Sequence, residues 1–218
     1  MIHIVEQFNK HLYKSQLEQM HKQRAFVFGE RLGWDVSVTD DGLEIDEYDH
    51  NEAVYLLNLD PTNDSVLGSL RLLPTTCPTL LKDVFYDTMP DGMEFESPTI
   101  WECTRFCVDE RRLDTPASRA RISCVSEELL VGIGEIGCAA GIKTIVGNFV
   151  PAMLKLYKRA HCKVDVLGRT DRFGPTVYLG AFHVSEEILE NMKSVLGIEN
   201  PVIENRNGTS YFSTEQAA

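Results

Sequence analysis

The first candidates for chemistry are charged residues standing inside apolar runs. In PTIWECTRFCVDE, residues 98–110, Glu102 and Arg105 interrupt a stretch of Thr, Ile, Trp, Phe, Cys and Val that reads as a buried strand. Arg71 interrupts SLRLL in the same way. Asp46 and Asp49 stand three apart in the acidic stretch SVTDDGLEIDEYDH, residues 37–50. Arg24 precedes Phe28 by about one helical turn, and Trp34 follows. A carboxylate held in an apolar strand can act as a general base. Guanidiniums can grip a carboxylate through two parallel hydrogen bonds. Carboxylates beside aromatic faces suit a cationic substrate. The same residues would equally make a buried ion-pair network that fixes strand register, and residue types alone leave both readings open.

These residues need elements to hold them. Lys14 to Phe28 has moderate helical spacing at Leu17, Met20, Ala25 and Phe28, ended by Gly29 and Gly33. AVYLLNL and SVLGSLRLL, joined by DPTND, predict an antiparallel hairpin. TLLKDVF predicts a short helix ahead of the strand that carries Glu102. A long helix follows, capped at Asp114 or Thr115 with Pro116 in its first turn, and Gly141 is its stop. KTIVGNFV, KVDVLG and TVYLGAFHV read as strands, PAMLKLYKRA as a helix, and Ser185 as the cap of a final helix. The order predicts one domain over residues 1–218, an α/β three-layer α-β-α sandwich with a mixed, twisted central sheet.

Several chemistries are excluded by spacing. Gly132, Gly134 and Gly137 match a dinucleotide-binding fingerprint by letter, but they fall deep inside the long helix rather than at its start, which predicts close packing. The six histidines and six cysteines lack metal-ligand spacing, so no metal is expected. No G-x-S-x-G elbow exists for a hydrolase. A net charge of −12 over 218 residues argues against nucleic acid as the partner. No apolar run is long enough for a membrane span, and the first fifteen residues lack the apolar core of a secretory signal. With no C-x-x-C pair, the cysteines read as reduced core residues of a cytoplasmic protein.

Together these motifs resemble the acyl-homoserine-lactone synthases, the autoinducer synthases of quorum sensing. Arg24, Phe28 and Trp34 match the family's R-x-x-x-F-x-x-x-x-x-W signature, and Asp46 and Asp49 its D-x-x-D. Arg71 lies in GSLRLLPT, Phe85 in LLKDVF, and Glu102 and Arg105 form E-x-x-R. The resemblance runs from about residue 20 to the last helix. It implies a fold similar to the N-acetyltransferases, with a V-shaped split between two central strands. It implies transfer of an acyl group from acyl carrier protein, or acyl-CoA in some members, to the amine of S-adenosylmethionine. The methionyl carboxylate then closes the lactone, releasing 5′-methylthioadenosine. S-adenosylmethionine would be a substrate, with no cofactor.

By the same resemblance, Glu102, Arg105 and Thr104 would be catalytic, and Arg24, Phe28, Trp34, Asp46, Asp49, Arg71, Phe85 and Phe106 would bind S-adenosylmethionine. Trp101, Gly147, Asn148 and Phe149 would line the acyl chamber. Gly147 stands where members that accept 3-oxoacyl chains tend to carry threonine, which points to unsubstituted or 3-hydroxyacyl chains. Lys155, Lys158 and Arg159 would form a basic dock for the acidic carrier, with Arg111, Arg112, Arg119 and Arg121 a second possible dock. Glu102 and Arg105 are three apart, so strict alternation turns them to opposite faces. Either a β-bulge near Cys103 or Thr104 re-aims one of them, or the two line different sides of the split sheet. Acetyltransferase-like folds are known for a bulge on this strand, so the bulge is expected. An acetyl-CoA-dependent N-acetyltransferase is the alternative, but RRLDTPASRA lacks the glycines of a pyrophosphate loop. A non-catalytic module would be expected to have lost part of the charged set, and none is missing.

Overall fold

The computed structural model describes residues 1–108, 111 and 116–204. Among them seven strands form one mixed sheet: β1 (Ile2–Val5), β2 (Val54–Leu59), β3 (Val66–Pro74), β4 (Ile100–Val108), β5 (Thr144–Phe149), β6 (Val164–Thr170) and β7 (Val177–His183). Their order is β1-β2-β3-β4-β5-β7-β6, and only β4 and β5 run parallel. The helices are α1 (Lys14–Arg24), α2 (Leu80–Asp83), α3 (Pro116–Ala139), α4 (Leu154–Arg159) and α5 (Glu186–Leu196). On one face Val125 and Leu129 of α3, Tyr157 of α4 and Met192 of α5 pack with Leu56, Leu70, Leu72 and Val108. On the other, Met20 of α1 and Leu80 and Leu81 of α2 pack with Tyr55, Leu57, Leu73 and Val146. The expected three-layer sandwich is present.

Local chemistry explains most boundaries. The Thr79 and Ser185 side chains cap α2 and α5 by accepting the Lys82 and Ile188 N–H groups. Gly141, with φ +70°, follows the end of α3, as its sequence position predicts. Inside α3 a Cβ on Gly134 would sit 2.9 Å from Leu189 of α5 and one on Gly137 2.9 Å from Val184, just before the α5 cap, so this glycine run is a surface of close packing. Asp114, Thr115 and Arg112 lie outside the described residues, as does the side chain of Arg119.

Three departures from the sequence reading bear on the site. The N-terminal strand β1 was not expected; its four residues pair with β2, and Ile2 also bridges Ile203. The first helix does not stop at Gly29 but widens into a π-helical stretch, Ala25–Arg31, in which Leu32 N–H donates to the Val27 carbonyl at 3.1 Å. The bulge exists, but later than expected. Ser69 pairs with Cys107 and Arg71 with Thr104, so Arg105 and Phe106 together oppose Leu70. Arg105 takes the left-handed conformation, φ +54°, a position more often given to glycine.

The sheet also opens. β4 and β5 pair only at Ile100–Thr144, Trp101–Ile145 and Glu102–Val146, after which the ladder ends. The two strands diverge beyond Glu102, as the V-shaped split requires.

Candidate active site

The bulge decides which β4 side chains meet. Trp101, Cys103, Phe106 and Val108 pack toward α3. The extra residue lets Arg105 join Glu102 and Thr104 on the α1 face, where Arg71 Nε donates to Thr104 Oγ1 at 3.0 Å. Phe106, placed with the S-adenosylmethionine residues by sequence, therefore belongs to the opposite face from Arg105.

Around Arg105 lies a charge-balanced network. Arg24 grips Asp49 with two hydrogen bonds of 2.8 and 3.0 Å and donates its Nε to Glu44. Arg71 donates to both Asp46 oxygens and, at 2.7 Å, to Asp49. Arg105 donates to Glu44 at 3.0 Å and Asp46 at 2.8 Å, and its guanidinium lies over the Phe28 ring. Tyr55 and the Asp46 N–H also donate to Asp49. Burial alone would raise the Asp49 carboxyl, but the hydrogen bonds and charge of Arg24, with the charge of Arg71, hold it well below the usual carboxylate range. Arg24 and Arg71 are essentially inaccessible. Glu44 completes the balance, three guanidiniums against three carboxylates. Its only sequence signal is its spacing two before Asp46 in an extended loop, where Val38 and Glu44 bridge.

Glu102 sits where the ladder ends and is fully buried. Its carboxylate accepts the Leu80 and Leu81 N–H groups at 3.0 and 2.8 Å, at the start of α2. Desolvation pushes its pKa up to about 7, against the pull of those N–H groups and of Arg71 and Arg105. A carboxyl poised there can take and return a proton at neutral pH.

A cavity of about 350 Å³ passes through the split. On the α1 face it is walled by Phe28, Trp34, Leu80, Phe85, Glu102, Thr104 and Arg105. On the α3 face Phe106, Leu130, Ile133, Phe149, Tyr157, Leu189 and Met192 make an apolar chamber. Gly147 and Asn148 line the passage between them. A Cβ on Gly147 would lie 2.9 Å from the Cys103 carbonyl, so a threonine there would force the strands apart. Trp101, expected in the chamber, is not on its wall; it precedes the split, its indole N–H donates to the Pro98 carbonyl, and Cys103 takes its place. Arg24, Arg71, Asp46 and Asp49 stand behind Arg105 rather than on the wall. The far wall, drawn from α3 and α5, carries no sequence mark beyond ordinary apolar spacing.

Lys155, Lys158 and Arg159 are exposed on α4, and Lys163 lines the cavity. Arg159 is already committed, donating to Glu127 and Ser123 of α3 at 2.8 and 2.7 Å.

Comparison with known proteins places this geometry. The family model for autoinducer synthases matches residues 8–192. The chain belongs to the autoinducer synthase family. An acyl-homoserine-lactone synthase of Rhizobium etli is 38% identical over 180 residues, 82% of each chain. Among solved autoinducer synthases, the CoA-dependent BjaI with SAM and isopentyl-CoA superposes with a TM-score of 0.82 at 26% identity, over 94% of this chain and 92% of that one. A putative N-acetyltransferase of Lactobacillus plantarum shares the fold, with a TM-score of 0.51 at 14% identity over 84% of this chain and 99% of that one. This autoinducer synthase thus has the acetyltransferase-like sandwich that its motifs imply.

Proposed function

We propose that this synthase acylates the amine of S-adenosylmethionine and closes the homoserine lactone, releasing 5′-methylthioadenosine, with S-adenosylmethionine as substrate and no cofactor. The observation that carries this is the continuity of two unlike compartments through the split: a charged, aromatic pocket at Glu102 and Arg105, and an apolar chamber beyond Asn148. A cationic nucleophile suits the first and an acyl chain the second.

Glu102 removes the amine proton, directly or through one water, because its pKa of about 7 matches the task. Phe28 and Trp34, with ring centroids 5.5 Å apart, wall the sulfonium and exclude water. Arg105, at the cavity wall, is the guanidinium able to meet the methionyl carboxylate; Arg24, Arg71, Asp46 and Asp49 hold it in place. Backbone N–H groups facing the split stabilise the tetrahedral oxyanion, and Thr104 adds a hydroxyl nearby. Since the sulfonium is a good leaving group, lactonisation needs proximity and orientation above all.

The donor is acyl carrier protein, docked on Lys155 and Lys158 of α4, the helix whose Tyr157 lines the cavity. Acyl-CoA is the second reading, favoured by the likeness to the CoA-dependent BjaI. The six unpaired cysteines support a cytoplasmic site of action. Incubation with S-adenosylmethionine and a panel of carrier and CoA thioesters, read by mass spectrometry, should yield methylthioadenosine and an acyl-homoserine lactone. Neither product with any donor would refute the reading.

A further inference from the structure

Asn148 carries a buried oxygen without a protein partner, and its neighbours determine which atom that is. The Thr88 hydroxyl gives its one hydrogen to the Phe85 carbonyl at 2.7 Å. Thr88 Oγ1 can then only accept from Asn148, 3.1 Å away, so the NH₂ of the amide must face Thr88. The orientation of the Asn148 amide follows from this chain of donors. Its Oδ1 is left buried and unpartnered among the protein atoms. The residue lines the cavity and, alternating with Phe149 of the α3 face, shares the α1 face with Val146 and Glu102.

A buried acceptor selects for a donor. Water can satisfy Oδ1 while the cavity is empty, but an acyl chain threaded through the split displaces it. A chain with only hydrogens at that point strands the acceptor, and a chain with a carbonyl sets two acceptors against each other. A hydroxyl donates to it. Asn148 stands two residues, about 7 Å, beyond Val146, the register partner of Glu102. With the thioester carbonyl beside Glu102, the carbons that follow it pass Asn148. The amide N–H groups of a pantetheine arm are the other donors on such a substrate, and the backbone edges freed by the split are suited to take them.

We propose that Asn148 Oδ1 reads a hydroxyl on the third carbon of the acyl chain, so that 3-hydroxyacyl donors are preferred to unsubstituted ones and both to 3-oxoacyl donors. The proposal rests on the synthase reading above. Its test gives the full chain S-adenosylmethionine and thioesters of one carrier and one chain length, bearing a hydroxyl, two hydrogens or a carbonyl at carbon 3. Methylthioadenosine release then yields kcat/KM for each. The wild type should rank them in that order. Asn148→Leu should lower the hydroxyl-to-unsubstituted ratio roughly 5- to 100-fold, the range of one stranded hydrogen-bonding group. Thr88→Val frees the amide to rotate and should raise the 3-oxo rate relative to the 3-hydroxy rate; this variant decides if Asn148→Leu does not fold. A wild type that prefers 3-oxo chains, or ratios unmoved in the variants, overturns the proposal. Equal loss on all three donors also overturns it, by assigning Asn148 to the shared arm. Lactone formation with unmoved ratios leaves the synthase reading standing; no lactone from any donor removes both.

Discussion

Replacing Glu102 with glutamine tests the site and the stability of its surroundings together. The wild-type carboxylate accepts two N–H groups, from Leu80 and Leu81. Glutamine offers one oxygen, so one N–H faces an NH₂, at a cost of about 1–3 kcal/mol. Against this, the substitution removes a carboxyl whose pKa rises from 4.5 to about 7 on folding. The folded protein binds that proton more tightly than the unfolded chain, so wild-type stability from this group is fully present below about pH 4.5, falls as pH rises to about 7 and then levels off. At about 1.4 kcal/mol per pH unit the fall is on the order of 3 kcal/mol. The variant lacks this slope. Urea unfolding should therefore show wild-type stability falling more steeply between pH 5 and 7 than that of the variant, which keeps only the slope of other groups such as Glu6. Activity should behave differently. A general base contributes about 10²- to 10⁴-fold, so kcat should drop by that amount in a folded protein. Wild-type kcat/KM should climb through pH 7, with about a tenth of Glu102 ionised at pH 6 and about nine tenths at pH 8. A variant within about threefold of wild type, or one that keeps the inflection near neutrality, would remove Glu102 from the base role.

Arg71→Met leaves Asp46 and Asp49 with one fewer guanidinium in a buried setting, which should destabilise by about 3–5 kcal/mol. At about 2–4 °C per kcal/mol that lowers Tm by roughly 6–20 °C in a thermal melt, and a loss under about 2 °C would show the network contributes little. Glu6, whose Oε2 lacks a partner, is raised by burial to about 8, so its ionised form is disfavoured in the fold and stability falls as pH rises toward that value. Glu6→Gln should raise Tm more at pH 9 than at pH 6, and an equal effect at both would contradict it. Lys155→Glu with Lys158→Glu should weaken use of acyl carrier protein, most at low salt, while sparing any acyl-CoA activity, as rate measurements against salt can check.

The sequence made the charged set legible, because a glutamate and two arginines cannot stand in buried strands without cause, and the family resemblance implied the acetyltransferase-like frame. The spacing of Glu102 and Arg105 pointed to a change of phase in β4, expected near Cys103 or Thr104, short of Arg105 and Phe106. Alternation requires a shift between Glu102 and Arg105 if both serve one site, whereas the left-handed backbone falls on an arginine that gives no sign of it. Glu44 was hidden because one more acid in an acidic loop carries no contrast, although it is fully buried. β1 was hidden for a different reason: four residues, one a histidine, are too few for a pattern, and their pairing depends on β2 some fifty positions away. The passage at Asn148 is legible only from two hydrogen bonds, Thr88 to the Phe85 carbonyl and Asn148 to Thr88, the second joining segments far apart in sequence.

The three paired positions between β4 and β5 have a consequence for how the molecule is held together. β1 to β4 lie side by side in chain order, each antiparallel to the next, and β5, β7 and β6 form a second antiparallel set with the last two exchanged. Each set is held by its own antiparallel ladders, whereas the seam between them is a short parallel join backed by two apolar cores that draw on both sets. Glu102 and Thr104 belong to the first set, and Gly147 and Asn148 to the second. A substitution that loosens the seam should therefore disturb Glu102, Thr104, Gly147 and Asn148 together, and with them both compartments of the site.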